Sequence, residues 1–111
     1  MGQAINPDLL DTIKLYQPRL AILFGSQARG NADSASDIDL ILVKDTPDNF
    51  FDRLKKFALM LPNNAPRVDA LIYTPAEFDK MKEQEIPLIR QAIKEGKIIY
   101  EAPNWRTEPM D

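Results

Sequence analysis

Asp37 and Asp39 stand two residues apart at the entrance to an apolar run, Leu40-Ile41-Leu42-Val43. In a strand, residues i and i+2 share a face, so both carboxylates project from one side. Two like charges that close repel unless a cation lies between them. Hard carboxylate oxygens suit Mg²⁺, with Mn²⁺ as the alternative, held by one or two carboxylates together with substrate phosphates. On its own, Asp-x-Asp is also the pattern of a turn cap before a strand, and that is its commoner meaning.

A third carboxylate strengthens the metal reading. Asp69 interrupts Val68-x-Ala70-Leu71-Ile72, a run that otherwise reads as core. An ionised carboxylate inside a core costs several kcal/mol unless it is paired or bound to metal. Arg67 is a possible ion-pair partner if the strand extends that far. Beside Asp37 and Asp39, Asp69 would complete a cluster able to hold two ions about 4 Å apart, the arrangement used for in-line displacement at phosphorus. The chain has no cysteine and no histidine. Thiolate and histidine zinc sites, disulfides, cysteine nucleophiles and Ser-His-Asp chemistry are therefore excluded. A carboxylate-held hard metal is compatible with that composition.

The loop before the aspartates offers a phosphate cradle. Gly25-Ser26 follows an apolar run directly and opens a helical turn, Gln27-Ala28-Arg29, closed by Gly30. Glycine lets backbone approach a ligand closely, and the free N–H groups of a helical turn bind phosphate. The Ser26 hydroxyl can add a hydrogen bond. The same residues also make a plain tight turn between strands, and no Gly-Lys-Ser/Thr follows as in a P-loop.

The elements that must position these groups read as follows. Residues 5–17 are a helix, with Ile5, Leu9, Leu10, Ile13 and Leu15 or Tyr16 near helical spacing, ended by Pro18. Residues 19–24 and 37–43 are strands, the second nearly all apolar after Asp39, as suits burial on both faces. Thr46-Pro47 opens a helix as N-cap and first residue. Its apolar face is Phe50, Leu54, Phe57, Ala58 and Leu61, and residues 62–66 stop it. Residues 68–73 are a third strand. Thr74-Pro75-Ala76-Glu77 is a capping-box pattern that starts a helix. A last helix runs from about Pro87 to Glu95, stopped by Gly96, and residues 97–100 form a short strand. This order indicates an α/β (α+β) domain, residues 1–100, with a small mixed β-sheet flanked by helices. Residues 101–111 read as a C-terminal tail. Its Trp105, the single tryptophan, either packs back on the domain or anchors a partner.

At 111 residues the chain has the length of one domain. It has no apolar run long enough for a transmembrane helix, no secretory signal and no myristoylation pattern, so no membrane partner and a cytoplasmic location are expected. A net charge of −3 gives no strong nucleic-acid signal. Lys55-Lys56 is the densest basic spot and reads first as a solvated helix face.

The stretch "GSQARGNADSASDIDLILV" followed by "RVDALIY" resembles the minimal nucleotidyltransferases of the DNA polymerase beta superfamily. The family pattern is Gly-Ser, a short turn to a second glycine, Asp-x-Asp at a strand start, and a third Asp on a later strand. Gly25, Ser26, Gly30, Asp37, Asp39 and Asp69 fill it. The likeness is close over residues 20–73, and "IPLIRQAIKEGKIIYE" is similar to the family's closing helix and strand. The resemblance implies the polymerase beta-like nucleotidyltransferase fold. It also implies a two-metal transfer of a nucleoside monophosphate, AMP from ATP, to a hydroxyl acceptor. Asp37, Asp39 and Asp69 would be the catalytic and metal-holding residues, with two Mg²⁺ ions. Gly25 and Ser26 would grip the triphosphate. Arg29 and Ser36 would support it, although an ion pair within the loop serves Arg29 equally well. Stand-alone members of this family often accompany HEPN-domain toxins, acting as antitoxins that adenylylate a toxin tyrosine. The alternatives are a small-molecule acceptor such as an aminoglycoside, with a site built in an oligomer, and a non-catalytic antitoxin that acts by binding.

Overall fold

The computed structural model describes residues 7–24, 38–63 and 67–103. Helix α1 (Pro7–Tyr16) leads into strands β1 (Leu20–Phe24) and β2 (Ile38–Val43). Helix α2 (Phe50–Met60) crosses to β3 (Val68–Tyr73), and α3 (Pro75–Glu83) and α4 (Pro87–Glu95) lead to β4 (Lys97–Glu101). The strands form one mixed sheet in the order β3-β2-β1-β4. β1 pairs antiparallel with both β2 and β4. β2 and β3, joined by the α2 crossover, pair in parallel.

The two-residue alternation of the strands divides the core into two clusters. On one face Ala21, Leu23, Ile38, Leu40, Leu42 and Ile72 pack against Leu9, Ile13 and Tyr16 of α1 and Phe57 of α2. On the other, Leu20, Ile22, Ile41 and Val43 pack against Phe78 of α3 and Ile89 and Ala92 of α4. Leu40 to Val43 are fully buried, as expected for a central strand covered on both faces. Tyr16, rather than Leu15, continues the buried stripe of α1, and its ring meets Phe57 edge-on at 5.3 Å. Gln17 adopts a left-handed φ of 58° and Pro18 follows it, which ends α1. Among the described residues, no helix is long and apolar enough to cross a membrane.

Three local readings change. The N-cap of α2 is Asn49, not Thr46: Asn49 Oδ1 accepts from the Asp52 N–H at 2.9 Å. Thr46 Oγ1 instead accepts from the Asp48 N–H, a local turn two residues long. Gly96 stops α4 with an extended φ of −77°, not a left-handed one. It is there for space, because a Cβ would lie 2.3 Å from the Ala92 carbonyl and 2.6 Å from Ile22 Cγ2. Asp69, finally, is exposed rather than set in a core, because β3 is an edge strand. The desolvation argument for Asp69 therefore does not apply. The Thr74–Glu77 capping box forms as read.

Candidate active site

Asp39 and Asp69 are 30 positions apart in the chain and are brought side by side by strand register. In the parallel β2–β3 ladder Asp39 pairs with Asp69, between Ile38–Val68 and Leu40–Ala70. Directly paired residues of neighbouring strands share a face, at a strand separation of about 4.8 Å. The shared face is that of Ile41, Val43, Leu71 and Tyr73, the α3–α4 side of the sheet. Both carboxylates lie one residue inside the N-terminal ends of their strands. Asp39 is half-buried and Asp69 exposed. No ion-pair partner of Asp69 is present among the described residues, so the pairing with Arg67 is not formed.

The antiparallel strand on the other side of β2 converges on the same place. Phe24, the last residue of β1, pairs with Asp39. Gly25 and Ser26 are the next residues in the chain, and Asp37 immediately precedes β2. Gly25, Ser26, Arg29, Gly30, Ser36 and Asp37 all lie outside the described residues, as does Trp105. Among the described residues there is no group of three potential metal ligands. What the register establishes is the Asp39–Asp69 pair.

A groove of about 470 Å³ runs along the edge of the sheet beside α2 and has Asp69, though not Asp39, in its wall. It is lined by Leu54, Phe57, Ala58 and Leu61 of α2 and by Val68 to Leu71 of β3, including Asp69. Sequence reading assigned those α2 residues to a core face. The signal for a groove was the small Ala58 within the stripe, which leaves room where a larger residue would fill it.

Sequence reading also missed Arg53. It sits on the apolar side of α2 and is buried. Its guanidinium donates to the Asp48 carbonyl at 2.8 Å, the Ile72 carbonyl at 3.1 Å and both Glu77 oxygens at 2.8 and 3.2 Å. Those hydrogen bonds hold the Glu77 carboxyl below the ordinary glutamate range, against the opposing effect of burial. They also hold the Arg53 guanidinium above its ordinary value. The network ties α2, β3 and α3 together near the C-terminal end of β3. Lys56 of the basic pair contacts Asp48 at 2.7 Å, in keeping with a solvated, ion-paired helix face.

Comparison with known proteins agrees with this architecture. Residues 8–104 match the polymerase beta nucleotidyltransferase family, and the chain belongs to that family. A toxin–antitoxin crystal structure with AMP-PNP is similar in fold, with a TM-score of 0.56 and 22% identity over 87% of this chain and 73% of the other. A candidate nucleotidyltransferase from Sulfolobus solfataricus is also similar, with a TM-score of 0.50 and 20% identity over 90% and 93% of the two chains. No curated protein sequence matches.

Proposed function

We propose that this chain is a metal-dependent nucleotidyltransferase that moves AMP from ATP onto a protein hydroxyl, a tyrosine of a HEPN-domain toxin, and so acts as an antitoxin. The observation that carries the reading is the Asp39–Asp69 pairing, which sets two carboxylates on one face at an exposed end of the sheet. Family membership supports the reaction class. A fold relative that is a toxin–antitoxin structure with AMP-PNP supports the nucleotide and the biological setting.

Side-by-side carboxylate oxygens are the hard donors that Mg²⁺ or Mn²⁺ takes. Asp37, Asp39 and Asp69 would hold the ions, which when bound supply charge neutralisation for the triphosphate and a more acidic acceptor hydroxyl. The chain's own groups orient and accept. Asp69, exposed at the sheet edge, faces the acceptor and takes its proton. Asp37 and Asp39 hold the nucleotide end of the site. Gly25 and Ser26 bind the triphosphate through backbone N–H groups and a hydroxyl, with Arg29 and Ser36 in support.

The test incubates the chain with α-labelled ATP, Mg²⁺ and a HEPN-domain toxin. Label on a toxin tyrosine, lost with Asp39→Asn or on chelation with EDTA, is the expected result. Toxin neutralisation that survives the double variant Asp37→Ala, Asp39→Ala would replace catalysis with binding alone. Label on an aminoglycoside and none on protein would move the acceptor to small molecules.

A further inference from the structure

Among the described residues, β3 is an edge strand of the sheet. The Ile38 N–H donates to the Arg67 carbonyl at 2.9 Å and the Lys44 N–H to the Tyr73 carbonyl at 2.8 Å. In a parallel ladder that parity turns the peptide groups of Asp69, Leu71 and Tyr73 toward β2, and those of Val68, Ala70 and Ile72 toward the open edge. Arg53 covers the edge at the Ile72 carbonyl, a common way of blunting strand addition. The backbone groups of Val68 and Ala70 meet no hydrogen-bond partner among the described residues. Along this stretch runs the groove of about 470 Å³, with Leu54, Ala58 and Leu61 on one side and Asp69 at its rim.

We propose that the acceptor polypeptide adds to β3 as an extended strand beside Val68 and Ala70, with its hydroxyl residue opposite Asp69. This rests on the nucleotidyltransferase reading above and names the acceptor's form. Backbone pairing selects a peptide over a sugar or a nucleotide, because unpaired N–H and C=O groups at strand spacing match only another strand. Alternation then sets the side chains. The residue opposite Asp69 projects onto the carboxylate face, and its two neighbours project toward the apolar groove beside α2. The preferred acceptor is therefore apolar-hydroxyl-apolar, with tyrosine as the hydroxyl residue. In the transfer, the acceptor oxygen bonds to the α-phosphorus. The bond from that phosphorus to the bridging oxygen breaks, and pyrophosphate leaves with the electron pair. The hydroxyl proton passes to Asp69 and on to water.

The test uses a pool of short peptides with a central tyrosine between apolar residues, and a matched pool N-methylated at the flanking peptide bonds. Ala70→Pro removes an edge-facing N–H without touching the ladder to β2. Ala58→Arg crowds the groove from an exposed helix position. The expected result is labelling of the unmethylated pool, with KM raised about tenfold or more by either variant or by methylation. Affinity for a non-hydrolysable ATP analogue with Mg²⁺ serves as the check on folding. Equal KM for all variants and both pools overturns the proposal, as does a wild-type chain that binds the analogue and labels no peptide. A wild-type chain that does not bind the analogue overturns the nucleotidyltransferase reading instead.

Discussion

Single residues carry the two kinds of charge in this molecule, and they behave differently. Asp69 sits beside a like charge, Asp39, on the neighbouring strand. Like charges directly opposite on neighbouring strands are destabilising. Asp69→Asn should therefore leave stability unchanged or raise it by up to about 0.5 kcal/mol in urea unfolding. Unfolding of the variant would instead make Asp69 a structural residue. Arg53 is the reverse case, a buried cation that makes four hydrogen bonds to neighbouring carbonyls and a carboxylate. Arg53→Met should cost roughly 2–4 kcal/mol, because it removes the donors to the Asp48 and Ile72 carbonyls and the ion pair with Glu77. The pair also shapes acid stability. The folded pKa of Glu77 lies below its unfolded value of 4.5. Its contribution is complete above the unfolded value and is lost as pH falls through the folded one. Glu77→Gln should flatten that acid-side loss in denaturation measured across pH. The effect is trimmed by solvent, since the Glu77 side chain is 46% exposed. Asp69 was legible in sequence because it broke an apolar run. Arg53 was not, because an arginine within an amphipathic helix reads as surface until its partners on β3 and α3 are in place.

At the level of elements, periodicity was a good guide and local chemistry a partial one. The order α1-β1-β2-α2-β3-α3-α4-β4 is the order read from the sequence. Boundaries shifted where two residues competed for one task. Thr46-Pro47 carries a cap signature, yet Asn49 caps α2 while Thr46 closes its own turn. Asn49→Ala should thus cost about 1 kcal/mol and Thr46→Ala less, by thermal or chemical unfolding. Gly96 was legible as a stop but not for its reason. The packing of α4 on β1 leaves no room for a Cβ against the Ala92 and Leu23 carbonyls. Gly96→Ala should cost roughly 1–3 kcal/mol, since the obstacle is mostly backbone and cannot move aside.

For the molecule as a whole, the decisive feature is a pairing no local pattern contains. Sequence spacing identifies Asp39 and Asp69 as unusual, but only a parallel β2–β3 ladder in one register makes them neighbours. A shift of one residue would turn one carboxylate to the α1–α2 face and separate the pair. The sheet order also leaves β3 at the edge of the described sheet, which exposes Asp69 and opens the groove beside α2. The central claim is that this pair performs nucleotidyl transfer. It is tested most directly by the single-turnover rate of label transfer from α-labelled ATP to the proposed acceptor, comparing the wild type with folded Asp69→Asn. The account predicts a loss of roughly a thousandfold or more with ATP binding largely retained. A folded Asp69→Asn variant that transfers at the wild-type rate would contradict it.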